Sequence, residues 1–263
     1  MTKEEHPVRL AVPKGSLQKT TAPFLARAGL ALEGYGEGSR NYRPSLGIEG
    51  VTVKVLRPQE IPMLLSEGLY DLGISGLDWY VESKCQRNVA DVVNLGFGRV
   101  DIVLAVPDAW EDVTNAEELF RKFIRSTSKD PLRIWTEYLN IADEFVFQYQ
   151  QSDPTLISPY AGLHRNRHSG IRIYHSFGAT ESKPPEDGEA IIDNTETGRT
   201  LHANGLKIIH KVLPNSTARL LANRRTLLDD AKRQRIDRIV KACQGAAPRK
   251  DERKRQLNGH LTW

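Results

Sequence analysis

The sequence predicts an α/β protein with mostly parallel sheets. Two observations carry that expectation. Short apolar runs bounded by glycine and proline recur along the chain, and most lead into stretches whose apolar residues have helical spacing. One such run, Ala190–Ile192, ends in an acid, Asp193, and then a turn of small and hydroxylated residues. Open α/β sheets place their ligands at the carboxyl ends of strands like this one.

The elements follow in order. Val8–Val12 (VRLAV) reads as a buried strand. The stretch after it, GSLQKTTAPFLARAGL, sets Leu17, Phe24, Leu25 and Leu30 at roughly helical spacing around Pro23. Val51–Arg57 alternates as a strand, and a short helix opens at Pro58 and closes at Gly68. Tyr70–Gly76 is a short strand running into a glycine turn, and Val100–Pro107 is another strand. Loop and helix follow, then strand, turn and helix over Pro131–Gln150. Gln151–Gly170 has little periodicity and much proline, glycine and histidine, so it reads as a loop or insertion with His164 and His168 exposed. IRIYHSF, EAIIDN and TARLLANR resume the strands, and Arg224–Ala242 reads as a terminal helix. No repeat and no interdomain linker is visible, so a second domain is expected as an insertion reached by two chain crossings.

Composition narrows the function classes. The chain has 263 residues, 39% hydrophobic and 27% charged, as a globular protein does. No apolar run reaches membrane-spanning length, and the start MTKEEHPVRL lacks the apolar segment of a secretion signal. A cytoplasmic protein without membrane attachment is expected. Cys85 and Cys243 lie far apart, without the spacing of a metal site or a disulfide framework. The net charge is +4, and the positive excess gathers in Arg224–Ala242 and in the tail after it. Such runs read as solvated faces, so no nucleic-acid partner is expected.

The stretch AIIDNTETGRTLHANGL, Ala190–Leu206, carries the chemistry. Its apolar start reads as a buried parallel strand. NTETGRT is then a tight turn, in which Gly198 permits backbone angles and a close approach that a side chain would forbid. A helix starts at Leu201 and stops at Asn204 and Gly205, a C-cap pair. The turn therefore presents backbone N–H groups and the hydroxyls of Thr197 and Thr200, which suits a phosphate. An acid just ahead of a phosphate cradle makes sense for a phosphorylated sugar, whose hydroxyls it accepts, or for a bound Mg²⁺. No Walker loop and no dinucleotide fingerprint occurs. From the turn alone, a plain strand–turn–helix connection capped by Thr197 or Thr200 stays open.

The motif DNTETGRTLHANGL resembles the phosphoribosyl-pyrophosphate loop of the ATP phosphoribosyltransferase family, which catalyses the first step of histidine biosynthesis. RLAVPKGSL, VLRPQEIPMLLSEGLYDLGISGLDW, LGFGRVDIVLAVP and RIWTEYLNIADEF resemble further blocks of that family in the same order. The resemblance implies a two-domain fold like that of type II periplasmic binding proteins, with the active site in the interdomain cleft. It puts domain I at residues 1–104 and 215–245, domain II with the phosphate loop at 105–214, and a basic tail at 246–263.

It also implies transfer of phosphoribosyl from phosphoribosyl pyrophosphate to N1 of ATP, with release of pyrophosphate and a need for Mg²⁺. The metal ligands are left unassigned. The loop Glu196, Thr197, Gly198, Arg199 and Thr200 would take the 5′-phosphate, and Asp193 the ribose hydroxyls. Lys14 and Arg57 are candidates for pyrophosphate or ATP phosphate contacts, with Gly15, Gly76, Asp78 and Glu181 as further substrate-binding positions. Asp71 is expected to cap or pair locally, and Trp135 and Tyr138 to belong to the core.

Three departures qualify the resemblance. Ser16 stands where the family often has arginine after PKG, the Gln151–Gly170 stretch is extra, and only a basic tail follows the last helix. The histidine-binding regulatory domain of long members is therefore expected to be missing. A homo-oligomer, and a regulatory partner resembling a histidyl-tRNA synthetase as in short members, are expected instead. A phosphoribosyltransferase acting on another nitrogen base, a solute-binding protein of the same fold and a nucleic-acid binder using the tail are the rival readings.

Overall fold

The computed structural model describes residues 6–124, 131–150, 155–158 and 170–248. The expectations for His164, His168 and the tail from 249 onward lie outside these residues. The chain divides into two compact units, one of Met1–Arg99 with Thr217–Trp263 and one of Val100–Ser216.

The first unit is built on a five-stranded sheet. Its strands are β1 (Val8–Pro13), β2 (Val51–Leu56), β3 (Leu72–Gly76), β4 (Val89–Asn94) and β11 (Ala218–Asn223), in the order β2-β1-β3-β11-β4. Period-two alternation sends Val8, Leu10 and Val12 of β1 to one face and Ala11 to the other. The first face packs on Phe24 and Leu25 of α1 (Ser16–Arg27) and on Ile236, Ile239 and Cys243 of α7 (Asp230–Ala246). The second face packs on Ile61 and Leu65 of α2 (Ile61–Ser66) and on Tyr80 of α3 (Leu77–Glu82). Helices thus cover both faces and leave the strand ends as the places a ligand can reach.

Asp71 holds the amino-terminal edge of this sheet. Its buried carboxylate accepts from the Arg9 backbone N–H at 2.7 Å, Arg9 Nε at 3.1 Å, Lys232 Nζ at 2.9 Å and the Thr226 hydroxyl at 3.0 Å. Burial alone would raise its pKa; the hydrogen bonds from Arg9 and Lys232 outweigh that and hold it below the ordinary value. The pairing of Asp71, expected to be local, is instead long-range and clamps β1, the start of β3, the segment after β11, and α7 together.

The second unit carries a six-stranded sheet in the order β10-β5-β9-β6-β8-β7. The strands are β5 (Val100–Pro107), β6 (Leu132–Thr136), β7 (Thr155–Ile157), β8 (Ile171–His175), β9 (Ala190–Thr195) and β10 (Leu206–Ser216). On one face, Val103, Ala105 and Ile191 pack with Leu201 of α6 (Arg199–Ala203) and with Leu206. Further buried side chains come from α4 (Ala116–Ile124) and α5 (Leu139–Gln150), whose Phe120 and Phe145 rings lie 6.0 Å apart. Tyr138 is fully buried, the core role expected of it, whereas Trp135 is only partly buried and stacks on Tyr174. No helix among the described residues is long and apolar enough to cross a membrane.

Several expectations need correction. Both sheets are mixed rather than mostly parallel: β11 runs antiparallel to β3 and β4, and β5 antiparallel to β9 and β10. β10 went unread because register shifts at Ile208/His210, Lys211/Leu213 and Leu213/Ser216 break its alternation. β4 went unread because only Val89 and Val93 of its six residues are both apolar and buried. β7 lies inside the stretch read as a loop. The terminal helix starts at Asp230, where the Asp229 side chain caps the Ala231 N–H at 3.0 Å, and not at Arg224.

Candidate active site

The stretch from Asp193 to Thr200 forms the end of β9, the turn after it and the start of α6. β9 lies between β5, antiparallel, and β6, parallel, so Ile191 and Ile192 are wholly buried. Asp193 is the next residue and keeps part of its surface open to solvent. Its Oδ1 accepts the Asn194 backbone N–H at 2.7 Å, and the Thr180 hydroxyl also hydrogen-bonds it. Burial pushes its pKa up to about 6, and the nearby charges of Glu137 and Glu181 push the same way against those two hydrogen bonds. Asn194 Nδ2 also reaches Tyr138 Oη at 3.1 Å, which ties the strand end to the buried ring.

The turn after Asp193 is ordered by its own side chains. The Gly198 N–H donates to Thr195 Oγ1 at 2.8 Å and the Arg199 N–H to Thr197 Oγ1 at 3.4 Å. Gly198 has φ 74°, and a Cβ there would stand 3.4 Å from Ile208 Cδ1. Glu196, Thr197, Arg199 and Thr200 are exposed and Gly198 partly so. Helix α6 starts at Arg199 rather than Leu201, and its cap is Gly198 without a side-chain bond, so neither Thr197 nor Thr200 caps it. Helix geometry leaves the Thr200 and Leu201 N–H groups without an intrahelical acceptor.

Glu181 follows Thr180 in a single 3-10 turn, Thr180–Ser182. Ala179 before it has φ 49°, unusual for a residue with a side chain. The Ser176 hydroxyl donates to the Gly178 carbonyl at 3.1 Å, and the Thr180 and Ser176 hydroxyls lie 3.1 Å apart. A strained loop tightly bonded to itself thus delivers Thr180 and Glu181 to Asp193.

In the first unit, parallel pairing gathers three of the expected positions. Lys14 follows β1, Arg57 follows β2 and Gly76 ends β3, and β1 lies between the other two. All three stand at carboxyl ends of adjacent parallel strands. Gly15 has φ 82°, and the helix behind it begins at Ser16. Gly76 and Asp78 are buried, and a Cβ on Gly76 would meet Asp78 Oδ1 at 2.0 Å, so the carboxyl folds over the glycine. That pair shapes the strand end.

Glu137, Thr180 and Tyr42 belong to these two clusters and were not read from sequence. Glu137 directly follows β6, the parallel neighbour of β9, which is a signal only once the strand order is known. Tyr42 is exposed, hydrogen-bonds Lys14 Nζ and is also acted on by Arg57. Its segment has no periodicity, but its carbonyl accepts the Val55 N–H at 3.0 Å and so fixes it beside β2.

Residues 57–245 match the family model for ATP phosphoribosyltransferase, HisG. The chain is 34% identical to the ATP phosphoribosyltransferase of Koribacter versatilis over 242 residues, 91% of this chain and 72% of that one. It is 37% identical to that of Rhodopseudomonas palustris strain BisA53, covering 87% of this chain and 67% of the relative. Among solved structures, the ATP phosphoribosyl transferase (HisG:HisZ) complex from Thermotoga maritima has a similar fold, with TM-score 0.66 at 20% identity over 91% of this chain and 98% of that one. A periplasmic sulfonate-binding protein, SsuA, from Methylobacillus flagellatus KT shares the fold at TM-score 0.52 and 12% identity, over 91% and 67% of the two chains.

The fold is α/β, of the periplasmic-binding-protein kind, and the family model and the named relatives make the chain a pentosyltransferase. The chain belongs to the ATP phosphoribosyltransferase family.

Proposed function

We propose that the chain transfers the phosphoribosyl group of phosphoribosyl pyrophosphate to N1 of ATP, the first step of histidine biosynthesis. The match of residues 57–245 to the ATP phosphoribosyltransferase family carries this reading, and Asp193, at the end of β9 with an open turn directly behind it, offers it a site. The bond from ribose C1 to the pyrophosphate oxygen breaks, its electrons leave with pyrophosphate, and the N1 lone pair forms the new bond. No proton has to leave the nucleophile, so the task is alignment and charge stabilisation.

The residues suit that task. Asp193 accepts the ribose hydroxyls, and its charge, with those of Glu137 and Glu181, favours a ribose that becomes positive in the transition state. Glu196, Thr197, Gly198, Arg199 and Thr200 take the 5′-phosphate. Lys14 and Arg57 neutralise polyphosphate oxygens, and Gly15 lets the chain approach them closely. Gly76 and Asp78, being buried, support the strand end behind these groups.

Mg²⁺ fits this donor set as a passenger of the substrates. Among the described residues no group of three or more His, Cys, Asp or Glu is arranged to hold a metal. Mg²⁺ commonly needs only one or two carboxylates beside phosphate oxygens, and Asp193 and Glu181 would supply them. Bound there, it would offset charge on the leaving pyrophosphate.

We place the enzyme in the cytoplasm, as an oligomer with a regulatory partner. The Thermotoga maritima structure, a HisG:HisZ complex, supports the assembly with a regulatory partner. Transfer to another nitrogen base would use the same turn, so the test is a screen of nucleophiles. Purified chain is given phosphoribosyl pyrophosphate and Mg²⁺ with ATP, other adenine nucleotides or free bases, with and without a regulatory subunit. An absorbing adduct with ATP alone supports the proposal, and turnover only with a different base overturns it.

A further inference from the structure

In the first unit Tyr42 joins Lys14 and Arg57, and phosphoribosyl transfer alone gives it no role. Tyr42 is 49% exposed, so packing is not what retains its ring. Its phenolic oxygen accepts a hydrogen bond from Lys14 Nζ, which also lies 4.2 Å from the ring centroid. The backbone fixes both partners at one strand end: the Lys14 N–H donates to the Leu56 carbonyl at 2.7 Å, and the Val55 N–H donates to the Tyr42 carbonyl at 3.0 Å. Arg57, which directly follows Leu56, adds its charge to the same phenol.

We infer that Tyr42 is a positioning residue for Lys14 and the third member, with Arg57, of a polyphosphate subsite in the first unit. The subsite rests on phosphoribosyl transfer to ATP for the identity of its natural substrate. A lysine side chain has three N–H donors and much rotamer freedom, which it loses on binding an anion. The bond to Tyr42 uses one donor, leaves two for phosphate oxygens and restrains the chain beforehand. The phenol then keeps its own O–H proton to donate to a phosphate oxygen. A chain from ammonium to phenol to phosphate is polarised along its length, each bond strengthening the next. The depressed pKa of Tyr42, caused first by the Lys14 hydrogen bond and then by its charge, matches a phenol made a stronger donor. The carboxyl ends of β1 and β2 are where an open sheet of this kind receives ligands.

The test needs no turnover. Binding of inorganic tripolyphosphate to the full chain is measured by calorimetry for wild type, Tyr42→Phe, Lys14→Met and the double variant. Tyr42→Phe keeps the ring and the exposed position, and its unfolding midpoint is expected to match wild type. The subsite predicts a roughly 10-fold loss of tripolyphosphate affinity in Tyr42→Phe, in the range of one charge-assisted hydrogen bond. It also predicts that the double variant binds within about twofold of Lys14→Met, because the tyrosine acts with the lysine. In turnover, Tyr42→Phe should raise KM for one polyphosphate substrate and leave kcat near wild type. Tripolyphosphate binding unchanged by Tyr42→Phe, a fully additive double variant, or no binding to wild type would each overturn the subsite. A failure of the ATP reaction itself shows separately, as absence of the adduct in a chain that still binds tripolyphosphate.

Discussion

Asn194 donates its backbone N–H to Asp193 Oδ1 at 2.7 Å, yet the pKa of the carboxyl is still pushed up to about 6. Burial is the main cause, and Glu137 and Glu181 add to it. The hydrogen bonds from Asn194 and Thr180 do not offset the loss of water.

Activity should depend on Asp193 being ionised. With a pKa raised to about 6, kcat/KM should fall as pH drops through that value in the free enzyme. Asp193→Asn should lower kcat/KM by roughly 100-fold and flatten the acid limb. A pH–rate profile of both proteins checks this; a limb that persists in the variant belongs to another group.

The same carboxylate should cost stability. Its folded pKa lies above the unfolded value, so its contribution is fully favourable below about pH 4 and is lost as pH rises through about 6. At pH 8 the ionised group then opposes folding, and Asp193→Asn should stabilise the chain by on the order of 2 kcal/mol. Urea unfolding at pH 8 and pH 4 should show the gain at the first and none at the second.

Asp71 should behave in the opposite sense. Its side chain is buried and bonded by Arg9, Thr226 and Lys232, and its pKa is depressed. Its stabilisation is present above the unfolded value near pH 4 and is lost as pH falls through the lower folded value. Asp71→Ala should destabilise by about 3–5 kcal/mol, since it leaves the largely buried Lys232 ammonium and the Arg9 backbone N–H without their acceptor. Denaturant midpoints at pH 7 test the size, and a variant within about 1 kcal/mol of wild type would refute the clamp.

Gly76 should tolerate no side chain while Asp78 is present. The new Cβ would stand 2.0 Å from Asp78 Oδ1. Gly76→Ala should cost about 1–3 kcal/mol as overpacking. If the Asp78 carboxyl is the obstacle, adding Asp78→Ala should cost less in that background than in wild type. Thermal unfolding of the two single variants and the double variant gives the coupling.

Legibility in the sequence followed physical locality. β1, β2 and β9 were readable because their apolar alternation or burial lies within six consecutive residues each. The turn at Gly198 was readable because its glycine and threonines adjoin Asp193. β10 was not, since its bulges scramble the period. Glu137 and Tyr42 were not, because what places them is strand pairing between distant segments. The antiparallel insertion of β11 between β3 and β4 is likewise a property of topology, which no local pattern encodes.

The central claim is that the turn behind Asp193 serves phosphoribosyl transfer to ATP. Its most direct measurement is pyrophosphate release and adduct absorbance in one assay, with ATP, phosphoribosyl pyrophosphate and Mg²⁺, for wild type and Asp193→Ala. The account predicts that both signals rise together in wild type and that both fall by roughly 100-fold or more in the variant. Adduct formation undiminished in Asp193→Ala would contradict it.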